Sequence, residues 1–293
     1  MKWYSYVFLS LAAFLLTMGI AYAVGSRLVF IAVLLAFLIS WIAYIPAYLF
    51  QTEKFYDLTG SIKYLLLTWF IYTLSYEFYG FNIGNLILAT LITMWTLRLG
   101  SFLFMRIHKD GEDKRFRTIK TSASQFFLTW TLSGMWVSLC SICALTAIAN
   151  PFGVTLNLIS YIGIGLFFLG FAIEVIADQQ KTAFRSIPEN KNRFITSGLW
   201  AKSRHPNYLG EIILWFAIAV ISFSSLSGTQ YIALISPIFT YLLLVYVSGV
   251  RMLEDRANTK WGNEPEYQEY KLSLIHISEP TRRYAISYAV FCL

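Results

Sequence analysis

Long apolar stretches alternate with short polar segments along this chain. Eight stretches are long enough to cross the roughly 30 Å hydrocarbon core of a bilayer as helices. They cover residues 3–24, 28–50, 61–80, 83–105, 124–149, 155–177, 207–226 and 229–250. The third stretch is the least apolar, because it contains Lys63 and Glu77. Since strands would need a closed barrel of alternating polarity, the pattern predicts an all-α polytopic membrane protein with about eight transmembrane helices.

Composition supports a membrane protein and excludes an ordinary soluble domain. The chain is 57% hydrophobic and 13% charged, whereas soluble domains carry about 25% charged residues. The formal net charge of +7 does not indicate nucleic acid, because in a membrane protein the placement of Lys and Arg carries the information. The lipid bilayer is therefore the expected partner.

Basic residues are concentrated in alternate loops. Segments 106–120 and 178–204 are rich in Lys and Arg, whereas the turn at 151–154 has none. With eight spans, these basic segments lie on the same side as Lys2, and Arg27 lies on the other. The positive-inside rule then predicts that the basic side and the N-terminus are cytoplasmic. We expect the first span to be an uncleaved helix, although it resembles a signal peptide.

Four ionisable residues end the sixth predicted span, in "AIEVIADQQKTAFR". Glu174, Asp178, Lys181 and Arg185 are spaced by four, three and four residues. At 3.6 residues per turn all four lie on one helical face. A salt-bridged helix end would explain this face, but Glu174 and Asp178 continue an apolar span. We therefore predict a buried polar face that lines a cavity.

A second polar group, "SRHPNYLGE" at 203–211, leads into the seventh span. Its members with functional side chains are Arg204, His205, Asn207, Tyr208 and Glu211. Asn207 and Glu211 are four residues apart and share a helical face. A helix N-terminus presents free N–H groups, so this position suits a phosphate or carboxylate group. A basic loop that binds lipid headgroups would explain Arg204, but it would not explain Glu211, one turn further into the membrane.

Two further charged residues lie near the predicted membrane surface. Arg98, within the fourth span, either extends to the interface or pairs with Glu174 or Glu211. Asp57 precedes the third span, where it either caps the helix or donates a proton to a bound substrate.

Other motifs favour packing over chemistry. The glycines of "GIGLFFLG" (163–170) lack the spacing of a dinucleotide fingerprint and predict close helix packing. Cys140 and Cys143 lie inside an apolar run without a second pair, so we interpret them as small packing residues. With only three histidines in the chain, we expect no metal site.

Four segments in order, "WTLRLGSFLF", "EVIADQQKTAFR", "SGLWAKSRHPNYLGEIILW" and "EPEYQEYK", resemble the bacterial DUF1295 branch of the steroid 5-alpha-reductase-like membrane proteins. The resemblance covers residues 55–271 and divides the chain into an N-terminal two-helix segment (1–54), a reductase-like helical domain and a tail. The tail, 272–293, resembles translated sequencing-adaptor DNA and is expected to be non-native.

The resemblance implies an NADPH-dependent reductase of a C=C bond conjugated to a carbonyl. It implies a helical bundle that holds NADPH in a cavity open to the cytoplasm and a hydrophobic, lipid-like or steroid-like substrate that enters from the bilayer. The expected location is the bacterial cytoplasmic membrane. No nucleic acid or metal partner is implied.

The resemblance also implies roles for individual residues. The cofactor side would consist of Arg98, Asp178, Lys181, Arg185, Arg204, His205 and Asn207. Glu211 matches a glutamate beside the nicotinamide, and Asp57 matches an acid that polarises the substrate carbonyl. Where the steroid enzymes have a proton-donating tyrosine, this chain has Trp95, whose indole is not a practical acid. Asp57, Tyr56 or Tyr208 would then replace that tyrosine.

A second resemblance supports an alternative. "RHPNY" and "RMLEDRANTKWGNEPEY" are similar to the isoprenylcysteine carboxyl methyltransferases, which bind S-adenosylmethionine at a related C-terminal site. Arg98 and the Asp178–Arg185 face favour the reductase. A transporter or a non-enzymatic lipid-binding protein ranks last, because the chain shows no inverted repeat and no matching pair of broken helices.

Overall fold

A helical segment forms at each of the eight predicted positions. The computed structural model describes residues 2–247 and 249–278, and within them it contains helices and no strand. The α-helices are α1 (Trp3–Ala23), α2 (Arg27–Leu49), α3 (Tyr56–Tyr79), α4 (Ile83–Asp110), α5 (Ala123–Ile148), α6 (Leu158–Ser186), α7 (Pro206–Phe223), α8 (Ile235–Leu242), α9 (Val250–Trp261) and α10 (Pro265–Ser278). A 3₁₀ turn, Gly228–Leu234, precedes α8, and a π turn, Leu243–Val247, follows it.

The apolar content of these helices confirms an all-α polytopic membrane protein. Among the described residues, 7 helical segments are long and apolar enough to cross a membrane. The predicted third span is not one of them: α3 has 24 residues, but Lys63 and Glu77 and several tyrosines lower its hydropathy. The count by length and composition is therefore one lower than the sequence pattern predicted. The cytoplasmic position of the N-terminus stays a prediction.

The described chain divides into two compact units. The first unit comprises residues 2–167 and 215–240, and the second comprises 168–214, 241–247 and 249–278. In the first unit α5 is far more deeply buried than the other apolar helices, and α1, α2 and α3 pack against it. The close approach of α2 requires a glycine, because a Cβ on Gly134 would lie 2.9 Å from the Phe37 ring.

Glycines hold α6 against α7, as the sequence predicted for the 163–170 motif. In the first unit, a Cβ on Gly163 would lie 2.9 Å from the Ile221 amide nitrogen. In the second unit, a Cβ on Gly170 would lie 2.6 Å from the Gly210 carbonyl oxygen. The motif's middle glycine, Gly165, has no atom within 4 Å of such a Cβ, so the packing explanation holds for two of the three glycines.

We expect Gly170→Ala to lower the stability of the protein, while Gly165→Ala does not. The added methyl group at residue 170 meets rigid backbone atoms of α7, and overpacking of this kind costs about 1–3 kcal/mol. At residue 165 the methyl group meets no neighbour and only improves helix propensity, by about 0.5–1 kcal/mol. Thermal unfolding of both variants in the same detergent tests the difference. Equal midpoints would show that α6 and α7 do not depend on this contact.

The predictions of a non-native tail and of an uncleaved first span both stay predictions. α10 continues through residues 272–278, so the change in sequence after Lys271 is not a structural boundary. The rest of the predicted non-native tail, 279–293, lies outside the described residues. At the other end, α1 is helical from Trp3 to Ala23 and packs on α5.

Candidate functional site

The polar face of α6 runs from a buried end to an exposed end. Since α6 is continuous across all four predicted residues, their spacing places them on one face. Glu174 is 2% exposed and Asp178 is 6% exposed. Lys181 is half-buried and Arg185 is exposed. The carboxylates therefore lie deep in the second unit, and the cations lie toward its surface.

The start of α7 lies directly against this face. A Cβ on Gly210 would lie 2.6 Å from the amide nitrogen of Glu174 and 2.6 Å from the carbonyl oxygen of Gly170. The two helices therefore touch backbone to backbone at this point. This contact brings the "SRHPNYLGE" motif next to the turn of α6 that carries Glu174. Two clusters that the sequence analysis treated separately are thus neighbours in one unit.

Arg204 and His205 share one carboxylate, which the sequence analysis did not select. Arg204 Nη1 donates to Glu254 Oε2 at 2.5 Å, and His205 Nε2 lies 2.6 Å from Glu254 Oε1. Glu254 belongs to α9, after the last predicted span. Its side chain is only 17% exposed. The ion pair with Arg204 connects the loop before α7 to α9. The sequence feature that could have indicated Glu254 is its position as a carboxylate between the arginines of "RMLEDR".

Two polar atoms beside this ion pair are buried without a hydrogen-bond partner among the described residues. They are His205 Nδ1 and Asn207 Oδ1. His205 Nδ1 accepts a hydrogen bond in the neutral imidazole and donates one in the protonated form. The Asn207 amide oxygen is an acceptor in either case. A buried polar group without a partner costs about 1–3 kcal/mol, so the arrangement is suited to a ligand that supplies hydrogen-bond donors.

A tryptophan holds the loop before α7 on the surface of α6. Trp200 Nε1 donates to the Ala177 carbonyl oxygen at 3.1 Å, and Gln180 Oε1 accepts from the Leu199 amide at 3.0 Å. Lys181 Nζ lies 4.5 Å from the centre of the Trp200 ring, a distance typical of a cation–π contact. The half-buried cation of the α6 face is thereby kept close to the loop.

The C-terminal helix secures the other side of the same loop. Tyr270 donates its hydroxyl to the Trp200 carbonyl oxygen at 2.6 Å. Burial raises the pKa of Tyr270 to about 12, with Tyr267 and Glu254 adding to the effect and Arg204 opposing it. The phenol therefore stays neutral and acts as a hydrogen-bond donor. The ring of Phe194 packs against both tyrosines.

Asp57 belongs to the first unit and has electrostatic neighbours from the end of α4 and from the loop after it. Burial raises the pKa of the Asp57 carboxyl above its usual value, while Arg115 and Arg106 oppose that rise. The N-cap position of α3 is Phe55 and carries no side-chain hydrogen bond. The capping role for Asp57 is therefore wrong: the residue lies in the first turn of α3 and is half-buried, and burial shifts the pKa of its carboxyl upward.

Arg115 also determines the charge of a neighbouring carboxylate. Asp113 receives hydrogen bonds from the Arg115 backbone amide at 2.9 Å and from Arg115 Nε at 2.8 Å. Burial alone would raise the pKa of Asp113, but these bonds outweigh it and hold the pKa below its usual value. The pKa of Asp113 is thus shifted downward and that of Asp57 upward, although both carboxyls lie near Arg115.

Arg98 lies in α4 of the first unit, half-buried. Its guanidinium carbon is 5.3 Å from the centre of the Phe102 ring. Trp95, three residues earlier, is 3% exposed and belongs to an aromatic group. Its ring centre is 5.1 Å from Tyr64 and 5.0 Å from Trp215.

The described residues place the predicted site in two groups. The second unit contains Asp178, Lys181, Arg185, Arg204, His205, Asn207, Tyr208 and Glu211. Asp57 and Arg98 belong to the first unit. Convergence of both groups on one cofactor stays a prediction. No group of three metal-ligating side chains occurs within the described part of the chain. Cys140 and Cys143 are buried and form no disulfide with a described residue.

These features define a helical membrane protein with a polar cluster at the start of an apolar helix. The family model for proteins of unknown function named DUF1295 matches residues 43–274. The match covers most of the chain, which therefore belongs to the DUF1295 family.

Two curated relatives are more distant. An uncharacterised protein of Schizosaccharomyces pombe, C594.04c, is 24% identical over 242 residues, which is 68% of this chain and 66% of the relative. A probable O-methyltransferase of Ustilaginoidea virens, ustE, is 27% identical over 194 residues, which is 57% of this chain and 65% of the relative. The matches thus span about two thirds of the length of each relative. No solved structure matches.

Proposed function

We propose that this protein is a membrane-embedded reductase that uses NADPH to reduce a C=C bond conjugated to a carbonyl in a lipid-like or steroid-like substrate. The observation that carries the proposal is the graded polar face of α6 beside the start of α7. A dinucleotide has two chemically different parts: donor-rich ribose and carboxamide groups, and anionic phosphates. The buried acceptors and the outer cations of the second unit match these two parts.

The cationic end of the face suits the phosphates. Lys181 is half-buried and fixed beside Trp200, and Arg185 is exposed one turn further along α6. The free N–H groups at the start of α7 add donors for an anion. S-adenosylmethionine carries no phosphate, so these cations would have less to bind in a methyltransferase.

The buried end of the face suits hydrogen-bond donors. Asn207 Oδ1 is a buried acceptor without a protein partner among the described residues, and Asp178 is a buried carboxylate one turn beyond Glu174. Ribose hydroxyls and a carboxamide NH₂ are donors of the matching kind. NADPH supplies the hydride, while these residues orient it and the apolar helices exclude water from the reaction.

The reduction also consumes a proton, for which the chain offers acids. Asp57 is one candidate, because burial raises the pKa of its carboxyl and so favours the acid form that proton donation requires. Glu211 and Tyr208 lie at the start of α7 and would polarise or protonate groups near the nicotinamide. Trp95 takes no part in proton transfer, because an indole N–H is too weak an acid.

We expect Arg185→Ala to weaken NADPH binding about tenfold, or about 1.4 kcal/mol. The guanidinium would make a charge-assisted bond to phosphate, but its exposure to water lowers the value of that bond. NADH, which lacks the 2′-phosphate, should be affected less. The control is Arg193→Ala, an exposed arginine of the following loop. Isothermal titration of both variants measures the difference, and equal affinities would remove Arg185 from the phosphate site.

The second candidate function is methyl transfer from S-adenosylmethionine. The similarity to a probable O-methyltransferase favours it. The donor-rich α-ammonium and ribose of that cofactor would also satisfy the His205 and Asn207 acceptors. The two functions therefore differ chiefly in what the α6 cations bind.

Isotope transfer separates the two reactions. Purified protein in bilayers is given a panel of steroid and lipid enones with NADPH deuterated at C4 of the nicotinamide ring, on either face. In parallel it receives lipid acids and alcohols with methyl-deuterated S-adenosylmethionine. We expect deuterium from NADPH on the β-carbon of a saturated product. A deuterated methyl group on the product, without any reduction, would replace the reductase with the methyltransferase.

A further inference from the structure

The first unit encloses a lysine that the proposed reaction has not used. Lys63, on α3, has 0% exposed surface. Its Nζ donates to Ser40 Oγ of α2 at 2.7 Å and to Ser133 Oγ of α5 at 2.8 Å. A lysine is among the residue types that are almost never fully buried unless paired, so its position needs an explanation.

No carboxylate among the described residues lies within ion-pair distance of Lys63, and its two partners are neutral hydroxyl groups. Neither α2 nor α5 contains an aspartate or a glutamate. Burial of an ammonium group without a counter-ion costs several kcal/mol, because the charge loses its hydration. This cost favours the neutral amine form of Lys63.

Every element around Lys63 carries ionisable groups, but the hydrogen-bond partners of Nζ among the described residues are Ser40 and Ser133. On α3 they are Tyr56, Asp57, Tyr64, Tyr72, Tyr76, Glu77 and Tyr79; on α2, Arg27, Tyr44 and Tyr48; on α5, only Cys140 and Cys143; on α4, Arg98, Arg106, His108, Lys109 and Asp110. Since Ser40 and Ser133 occupy the space at Nζ, a proton must pass through one of them.

Ser133 connects Lys63 to the start of α3. The Ser133 hydroxyl contacts Nζ and is also a hydrogen-bond neighbour of the Tyr56 hydroxyl. One hydrogen and two lone pairs allow a serine to donate to one neighbour while it accepts from the other. Ser40, by contrast, donates its hydrogen to the Ala36 carbonyl oxygen at 2.9 Å and has no hydroxyl neighbour beyond Lys63 among the described residues, so the chain of hydroxyl groups ends there. Tyr56 donates its hydrogen to the Thr129 carbonyl oxygen at 3.0 Å, so its hydroxyl must turn toward Ser133 before it passes a proton inward.

We propose that Lys63 is a proton-exchanging residue, which takes up and releases a proton inside the helical bundle through Ser133 and Tyr56. For inward transfer, the Nζ lone pair takes the Ser133 hydrogen and Ser133 Oγ takes the Tyr56 hydrogen. The Tyr56 oxygen then regains a proton from water, because Tyr56 is only half-buried at the start of α3. The net change is one proton gained by Nζ, with no bond between heavy atoms made or broken.

Such a residue has a use in the proposed reaction. Hydride transfer to an enone leaves an enolate that needs one proton from solvent, and the apolar bundle excludes water. Lys63 would store that proton and pass it on. This use rests on the proposed function, whereas the proton exchange itself does not.

The ionisation state of Lys63 is measured without any substrate. Protein labelled with ¹⁵N-lysine is reconstituted in bilayers and observed by solid-state NMR, where amine and ammonium nitrogens resonate at distinct positions. We expect one free-amine signal at neutral or mildly alkaline pH, lost in Lys63→Met and converted to ammonium on acidification. Ammonium signals alone at every pH at which the protein stays folded would overturn the proposal and make Lys63 a fixed cation. The wild-type spectrum gives this answer even if Lys63→Met does not fold.

Turnover of an enone tests the use of the proton. Lys63→Arg keeps a cation that does not release its proton, so we expect Lys63→Arg and Ser133→Ala to lose about 100-fold in turnover while NADPH still raises their melting temperature. Ser40→Ala, which lies off the route, should stay within a few-fold of wild type. Full activity of Lys63→Arg would contradict proton exchange in the reaction. If the wild type reduces no enone but shows the amine signal, the proposed function is refuted and the proton exchange of Lys63 is not.

Discussion

Asn207→Leu stabilises the protein without its ligand and weakens NADPH binding by roughly 30- to 100-fold. The amide oxygen of Asn207 is buried without a protein donor among the described residues. Its removal should relieve a cost of about 1 kcal/mol in the free protein. In the complex the same change leaves a ligand donor unpaired, which costs about 2–3 kcal/mol. Stability and affinity therefore change in opposite directions, as expected for a binding residue and not for a structural one.

Thermal unfolding and isothermal titration on the same preparations measure both quantities. The matched control is Leu209→Ala, two residues further along α7. Because the Leu209 side chain is 45% exposed, this change should affect neither the stability nor the NADPH affinity. A less stable Asn207→Leu protein with normal affinity would assign Asn207 to the fold and remove it from the site.

Glu53→Ala should cost about 3 kcal/mol of stability, the lower end of the range for breaking a buried ion pair. The Glu53 side chain is 2% exposed and binds Lys120 Nζ at 2.7 Å, with Lys120 itself 21% exposed. It also accepts the Asp113 amide at 3.1 Å. Without it, Lys120 loses its counter-ion and the 106–120 basic segment loses its attachment to the start of α3.

The control is Glu112→Ala in the same segment. Glu112 pairs with Arg117, but these side chains are 37% and 58% exposed, so water screens the pair and replaces it on mutation. The unfolding midpoint of Glu112→Ala should stay close to that of the wild type. Similar losses in both variants would show that Glu53 has no special structural role.

The sequence predicted the helices well because long apolar stretches admit few alternatives in a membrane. Close packing at Gly163 and Gly170 was also predictable, since small residues in an apolar helix have few other uses. The α3 span was the exception: its length is that of a span, but Lys63 and Glu77 lower its apolar content. Sequence alone gave no reason for a lysine there, because Ser40 and Ser133 come from separate helices.

The site was predictable where its residues are close in sequence and not where they are distant. The common face of Glu174 and Asp178 follows from helical periodicity. The pairing of Arg204 and His205 with Glu254 joins residues about 50 positions apart, and no local pattern encodes it. A capping role was one of two alternatives for Asp57, because acids favour helix starts. It failed because α3 begins at Tyr56 and not at residue 61, which places Asp57 inside the first turn.

Comparison of cofactors by thermal shift tests the central claim, that the second unit binds a phosphate-bearing nucleotide. Purified protein in detergent is heated with NADPH, NADH or S-adenosylmethionine, each at the same concentration. A ligand present at about 100 times its dissociation constant stabilises a protein by about 2.7 kcal/mol. We predict the largest rise in melting temperature with NADPH, a smaller rise with NADH and none with S-adenosylmethionine. A rise with S-adenosylmethionine alone would contradict the nucleotide site and the reductase with it.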